Sequence, residues 1–168
     1  MIQDILRSCG YNIETLVLNS NDFGVPQTRK RVFVVAVDQE ICPLFISVSN
    51  QNNKRKTLLR DAIVPNDNSI PITEKWQTYI DLYQGKITTA QVPFNLPKTR
   101  VKLERADPMV DLEDCVFQIR SSGIRALSLD KPFPTLAVSD SGGGAMIPVY
   151  SKERRHLSLA EIKNIMGF

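Results

Sequence analysis

An unbroken apolar run, Val-Phe-Val-Val-Ala-Val at residues 32–37, is the feature that most constrains the fold of this chain. A run without polar alternation is typical of a strand buried on both faces of a sheet. Gly24, Val25 and Pro26 lie just upstream, and glycine and proline favour a tight turn of fixed direction. The sequence therefore predicts a turn that leads into a buried strand.

Three long hydrogen-bonding side chains, Gln27, Arg29 and Arg31, lie between the turn and the strand. In an extended chain, residues two apart point to the same face, so we expect these three to converge on one place. Arginine keeps its charge and offers a planar fork of donors, which suits phosphate, carboxylate or a carbonyl oxygen that gains charge. The alternative is a solvated strand edge, and the Gly-Pro turn favours the converging cluster.

Residues 19–33, Asn-Ser-Asn-Asp-Phe-Gly-Val-Pro-Gln-Thr-Arg-Lys-Arg-Val-Phe, resemble the eighth motif of DNA (cytosine-5) methyltransferases, NAxDYGVPQxRxRVF. Residues 155–161 and 166–168 resemble the ninth motif, RxLTPRExxRLxGF, with Leu159 and Ala160 in place of Pro-Arg. The resemblance implies an α+β chain: residues 1–40 form the edge of an α/β catalytic domain, and 41–150 form a small, mostly antiparallel β target recognition domain. Residues 151–168 then form a linking segment and the helix of the ninth motif.

The resemblance also implies a function, which is to bind double-stranded DNA and help position a flipped cytosine for methyl transfer from S-adenosylmethionine. The companion motifs Phe-x-Gly-x-Gly, Pro-Cys and Glu-Asn-Val are absent from the sequence. Cys9, Cys42 and Cys115 do not follow a proline, so none matches the nucleophile. We therefore expect this chain alone to be inactive, to bind the cofactor weakly, and to need an N-terminal catalytic half.

That half belongs to the same chain or to a separate subunit of a split enzyme. A stand-alone DNA-binding or regulatory module is the rival from another class. The two arginines favour the enzyme, because a module that only binds DNA does not need donors suited to a flipped base. The resemblance sets Arg31 against O2 of the cytosine, Arg29 near phosphate, and Gln27 as the residue that fixes the loop. Which arginine contacts the base stays open.

Two loops, at residues 120–125 and 139–144, resemble the recognition loops of the family. By that resemblance Arg125 faces target bases, Ser122 lies near the gap left by the flipped cytosine, and Thr135 holds a phosphate. Gly142, Gly143 and Gly144 let backbone amides approach the DNA, although a plain flexible hairpin explains them equally well.

The formal net charge of +3 is small, but basic residues cluster at Lys54-Arg55-Lys56, at Lys98, Arg100 and Lys102, and at residues 152–155. Each cluster could neutralise phosphates or form a solvated face, and a mobile loop is the better interpretation of the first. We assign no DNA role to the acidic stretch 104–114.

The three cysteines show no metal-ligand spacing and are expected to be buried. No apolar run reaches the roughly 18 residues of a membrane span, so a cytoplasmic protein with no membrane association is expected.

Hydrophobic spacing and turn residues predict the remaining elements. Residues 74–83 place Trp76, Tyr79, Ile80 and Tyr83 on one helical face, which favours a buried face over a base-stacking platform. Ser158 and Glu161 predict a capping box. Two further helices are predicted, one that ends near residue 9 and one at residues 58–63. The predicted strands lie at 13–18, 31–37, 115–119, 126–129, 135–138 and 146–150.

Overall fold

The computed structural model describes residues 2–41, 56–65, 69–136 and 147–168. Its helices are α1 (Ile2–Ser8), α2 (Glu74–Tyr83), α3 (Lys98–Val101) and α4 (Leu159–Met166), with short 3-10 turns at Ser20–Phe23, Leu59–Ala62 and Thr89–Gln91. Its strands are β1 (Tyr11–Asn19), β2 (Gln27–Thr28), β3 (Lys30–Asp38), β4 (Leu103–Arg105), β5 (Cys115–Arg120), β6 (Gly123–Ser128), β7 (Phe133–Pro134), β8 (Val149–Tyr150) and β9 (Arg155–His156). The chain is α+β, as predicted.

The first forty residues form an antiparallel ladder of β1 and β3 that begins after α1, with Tyr11 opposite Asp38 and Asn19 opposite Lys30. The predicted burial of this apolar strand on both faces is wrong for the described residues, because Val32 is 64% exposed and Phe33 49%. Val17, opposite Val32 on the same face, is 67% exposed. Helix α1 packs on β1. The apolar side chains of Val17, Val32 and Phe33 nevertheless remain exposed to solvent.

The larger sheet has five strands in the order β4-β6-β5-β8-β9, with β4 parallel to β6 and the other pairs antiparallel. On one face α2 buries Tyr79, Ile80 and Tyr83 against Phe117, while Trp76 packs at the margin. The prediction of one buried helical face is therefore confirmed. The other face carries a second core that includes Leu59, Val116, Leu127, Phe133 and Ile165.

Helix α4 closes this second core and is fixed by a buried ion pair. Glu161, with no exposed surface, accepts hydrogen bonds from Arg155 Nη1 at 2.7 Å and Nη2 at 2.8 Å. The same carboxylate accepts from the backbone amides of Val64 and Ser158, and Ser158 Oγ accepts from the Glu161 amide. The predicted capping box is thus confirmed, and Gly167 ends the helix with φ of 85°.

Several predicted boundaries differ. The helix predicted at 58–63 is a single 3-10 turn at Leu59–Ala62, and β6 begins three residues earlier than predicted, at Gly123. In place of the strand predicted at 135–138, the structure has the two-residue strand β7, and residues 137–138 lie outside the described residues. The strand β6 begins earlier because its ladder with β5 runs from Gly123 to Ser128, so backbone pairing and not the apolar run sets its start.

Candidate functional site

The loop that precedes the two arginines is held by polar side chains of its own sequence. Asn21 is buried and donates from Nδ2 to the carbonyl oxygens of Val25 and Thr57, each at 2.9 Å. The Arg29 amide donates to Asn19 Oδ1 at 3.0 Å and to Ser20 Oγ at 3.1 Å. Because both ends of the loop are tied, the turn fixes the direction in which the chain enters β3.

Arg29 and Arg31 line one cavity of about 390 Å³, together with Leu18, Ser20, Phe23 and Phe33. Arg31 Nη1 donates to the Lys30 carbonyl at 2.7 Å, which turns the guanidinium along the strand. Arg31, Phe23 and Phe33 are exposed, so the cavity is open to solvent, and its two cations would attract an anionic group. Two of the three side chains that the sequence groups together thus border one cavity.

Gln27 departs from the prediction that all three side chains share one place. It is 4% exposed, it is absent from the lining of the arginine cavity, and its Nε2 has no hydrogen-bond partner among the described residues. The reason is that residues 27 and 28 leave the β1–β3 ladder and pair in parallel with β7. The backbone therefore changes sheets before Arg29, and the alternation expected of one extended strand is interrupted.

The β5–β6 hairpin carries Ser122 and Arg125, which the sequence predicted to face DNA. Arg125 Nη2 lies 2.6 Å from Glu104 Oε1, and Arg120 Nη2 lies 3.1 Å from Glu104 Oε2. Arg120 Nη2 also donates to Ser122 Oγ at 2.9 Å. The exposed hairpin tip is thus ordered by a charged cluster that the spacing of the residues in sequence did not reveal.

A basic cavity of about 290 Å³ lies beside this tip. It is lined by residues from α3, from β4, from the segment between them and from the hairpin, namely Lys98, Thr99, Lys102, Glu104, Ser122, Gly123 and Ile124. Gly123 has φ of 153°, and a Cβ there would lie 3.3 Å from the Thr99 carbonyl oxygen, so glycine allows α3 to approach. Two lysines predicted as a separate cluster are thus placed next to Ser122.

A third cavity, of about 430 Å³, is lined by residues of both predicted regions. Thr28 and Pro134 line one part of it, and Arg125 and Lys131 line another. Thr135 is exposed and donates from Oγ1 to the Thr28 carbonyl at 3.2 Å, which fixes β7 against the eighth-motif segment. The segment that leads to Arg29 and the hairpin that carries Arg125 therefore open onto the same space.

Some predicted residues fall elsewhere. Gly142, Gly143, Gly144, Lys54, Arg55 and Cys42 lie outside the described residues. Burial raises the pKa of the Cys115 thiol to about 12, whereas Cys9 is exposed, so the expectation of buried thiols is wrong for Cys9. The described residues contain no group of three or more side chains that could hold a metal ion, and none of their helices is long and apolar enough to cross a membrane.

The sequence matches the family model for C-5 cytosine-specific DNA methylases over residues 1–168. The chain therefore belongs to the C-5 cytosine-specific DNA methylase family.

Two curated relatives are similar over nearly the whole chain, and a third is similar over a shorter part. The type II methyltransferase M.NgoPII of Neisseria gonorrhoeae is 26% identical over 175 residues, which cover 99% of this chain and 49% of that protein. M.FnuDI of Fusobacterium nucleatum is 26% identical over 181 residues, covering 99% and 48%. M.MthTI of Methanothermobacter thermautotrophicus is 44% identical over 66 residues, covering 39% and 19%. The chain spans about half the length of the first two relatives.

Among solved structures, that of the Entamoeba histolytica methyltransferase EhMeth aligns with a TM-score of 0.45 at 18% identity, covering 99% of this chain and 45% of that one.

Proposed function

We propose that this chain is the C-terminal, target-recognising part of a DNA (cytosine-5) methyltransferase, which binds duplex DNA and helps position a flipped cytosine. The observation that carries the proposal is the shared cavity lined by Thr28 and Arg125, since it sets the eighth-motif segment beside the hairpin. The proposal requires a base extruded from a duplex along the hairpin to reach the arginine cavity.

The proposed role of Arg31 is to stabilise negative charge at O2 of the cytosine after a nucleophile has attacked the ring. Its guanidinium lines an open cavity with Leu18 and Phe33, and the donor would act most strongly once the catalytic half and the bound base exclude water. Arg29 is placed in the same cavity and is proposed to hold a nearby phosphate. Gln27 is buried under the loop, and its proposed role is to fix the loop.

Target recognition is proposed for the hairpin and its surroundings. Arg125 can donate two hydrogen bonds to guanine O6 and N7, and Ser122 at the tip is small enough to enter the base stack. Lys98 and Lys102 line the cavity beside Ser122, and their charges suit phosphates that flank the site. The Thr135 hydroxyl has one proton, so a phosphate contact would require that proton to turn from the Thr28 carbonyl to the phosphate. The glycines at 142–144 remain proposed DNA contacts.

The missing catalytic half is proposed to cover the exposed β1–β3 sheet, with residues 1–40 as the edge of its domain, 41–150 as the recognition domain and 151–168 as the link. Val17 and Val32 lie opposite each other on one exposed face, and contiguous apolar surface of this kind marks an interface. That half must supply the nucleophile, because the Cys115 thiol is buried and its pKa is raised to about 12, and no cysteine in the chain follows a proline.

The residues present do not fit an S-adenosylmethionine site. The sequence has no Phe-x-Gly-x-Gly segment, and the cavity that holds Arg29 and Arg31 has no acidic lining residue to balance a sulfonium. We therefore expect no methyltransferase activity from the chain alone. Calorimetric titration with S-adenosylmethionine should give no saturable heat at micromolar concentrations, and clear saturation would contradict this part of the proposal.

The decisive experiment separates chemistry from binding in the enzyme reassembled with its catalytic half. Arg31→Ala should raise the activation free energy of single-turnover methylation by about 3 kcal/mol and change duplex affinity little. Arg125→Ala should leave the rate of the chemical step on a bound site largely unchanged. It should reduce the difference in binding free energy between target and non-target duplexes by about 1–3 kcal/mol. Lys30→Ala is the matched control, because Lys30 is an exposed cation between the two arginines that does not line their cavity.

The two variants also decide whether Arg31 stabilises charge during the chemical step or only binds phosphate. If Arg31→Ala weakens duplex binding and leaves the chemical step unchanged, the charge-stabilising role is wrong and the arginine only clamps phosphate. Gel-shift titration and rapid quenching on the same preparations give both quantities.

A stand-alone DNA-binding module, or one subunit of a split enzyme, is the second candidate. The basic cavity beside Ser122 favours it, because residues of this chain from α3, β4, the segment between them and the hairpin line a cavity that carries two lysines. Alone, the chain should bind duplexes weakly and with a steep salt dependence, since phosphate contacts dominate. Methylation restored by mixing with a separately produced catalytic half would identify a split enzyme, whereas tight specific binding without that half would favour the module.

A further inference from the structure

Glu104 occupies an unusual position for an acidic residue on a surface proposed to meet DNA. It lies on β4, directly opposite Arg125 in the parallel β4–β6 pairing. Its two carboxylate oxygens contact two different arginines, Arg125 Nη2 at 2.6 Å and Arg120 Nη2 at 3.1 Å. Hydrogen bonding from Arg125 lowers the pKa of the Glu104 carboxyl, so the group stays charged at neutral pH.

Arg125 is also flanked on its other side. Gln118 lies opposite it in the antiparallel β5–β6 pairing, so the two side chains share a face. Gln118 is 9% exposed and its Oε1 has no hydrogen-bond partner among the described residues. Arg125 Nε is also buried and also lacks a hydrogen-bond partner among the described residues. A donor and an acceptor that each lack a partner therefore lie on adjacent strands.

We propose that Glu104 is a positioning residue for target recognition, which holds Arg125 and Arg120 side by side so that their free guanidinium edges point outward to read bases. The proposal rests on the proposed function, because it presupposes that the hairpin meets DNA.

Two physical consequences distinguish this role from simple structural support. A long arginine side chain loses rotamer freedom when it binds a base, and a carboxylate that restrains it beforehand removes part of that cost. Glu104 binds Arg125 Nη2 and the buried Nε lacks a partner among the described residues, so Nη1 and the second N–H of Nη2 are left for guanine O6 and N7. The same negative charge opposes non-specific attraction to phosphate. Removing it should therefore weaken discrimination and strengthen non-specific binding together.

The test uses the full chain with its catalytic half, and a pool of duplexes carrying eight randomised base pairs. Bound duplexes are sequenced to obtain the base preference at each position, and affinity for a random duplex is measured by titration at low salt. Wild type is compared with Glu104→Gln, Glu104→Asp and Arg125→Ala. Glu113→Gln is the matched control, because Glu113 is an exposed glutamate paired with Lys86 at 3.1 Å, not with the arginines of the hairpin.

We expect Arg125→Ala to abolish the preference at one base pair, and Glu104→Gln to reduce that same preference by about tenfold. Glu104→Gln should also bind random duplex a few-fold more tightly, while Glu104→Asp, which keeps the charge, should retain most of the preference. Glu113→Gln should alter neither quantity. Thermal melting of each variant establishes that it is folded.

Two results would overturn the inference while leaving the proposed function intact. In the first, Glu104→Gln keeps the preference that Arg125→Ala loses. In the second, Glu104→Gln loses affinity for random and preferred duplexes alike, as general destabilisation of the hairpin would cause. If the wild-type protein enriches no sequence at all, the proposed function fails, and the role of Glu104 fails with it. This outcome differs from the first two, in which the wild-type protein still shows a base preference.

Discussion

Replacement of Glu161 by glutamine should destabilise the chain more than any surface substitution. Glu161 Oε1 accepts from the Val64 amide and Arg155 Nη2, and Oε2 accepts from the Ser158 amide and Arg155 Nη1. Glutamine keeps one oxygen, so in either orientation its NH₂ group faces two donors. Two charge-assisted hydrogen bonds are lost, each contributing about 1.5–3 kcal/mol. The expected loss in free energy of unfolding is therefore about 3–6 kcal/mol, at or slightly above the usual cost of breaking a buried ion pair.

Urea unfolding followed by fluorescence of Trp76, the single tryptophan, measures this loss. Glu153→Gln is the matched control, because Glu153 binds the same Arg155 from a more exposed position and should cost about 1 kcal/mol. The double replacement Arg155→Met with Glu161→Leu should cost less than Glu161→Gln alone, since it leaves no buried unpaired charge. A loss under about 1 kcal/mol for Glu161→Gln would refute the assignment of this pair as the lock of α4.

The same carboxylate predicts how stability depends on pH. Burial by itself raises the pKa of Glu161, but hydrogen bonds from Arg155, Ser158 and Val64 outweigh it and lower the pKa below 4.5. The unfolded chain therefore binds a proton at a higher pH than the folded chain, and the contribution is present above pH 4.5. It is lost as the pH falls through the folded pKa. Glu161→Gln should lack this part of the acid dependence.

Other substitutions test local features. Gly167→Ala should cost over about 1 kcal/mol in free energy of unfolding, because φ is 85° and the new Cβ would lie 2.9 Å from Val25 Cγ2. Gly10→Ala should cost less, since a Cβ there meets no atom within 4 Å, and equal losses would argue against the contact. Asn21→Ala should cost about 1–3 kcal/mol, because Asn21 is buried and two loop carbonyls lose their donor. With the other two cysteines replaced by serine, Cys115 should react with a thiol reagent only after denaturation, and rapid labelling of the native chain would contradict its burial.

Elements with a local signal were predictable from the sequence. The bounds of α2 and the capping box of α4 follow from helical spacing and from one pair of residues, and the structure has both. The strands β1 and β3 were located to within two residues at each end. Each of these depends on hydrophobic period or cap chemistry, which a short segment carries by itself.

Features set by distant segments were not predictable. Gln27 leaves the ladder because β2 pairs with β7, more than a hundred residues later. Glu104 was assigned no role, since only the parallel β4–β6 pairing brings it to Arg125. The exposure of Val32 likewise depends on what covers the sheet, which the apolar run itself does not specify. In each case the sequence gives the residue type, and tertiary contacts determine its surroundings.

The position of the Arg155–Glu161 pair also bears on how the protein is made. The carboxylate joins the backbone at Val64 to the last helix, and Leu59 shares its core with Ile165. During synthesis, the strands that carry Val116 and Leu127 emerge before residues 155–165 exist, so the face that α4 will cover stays open. Contacts this distant in sequence form slowly. A nascent chain released before α4 is complete should therefore expose an apolar sheet face, which makes it a target for chaperones and proteases.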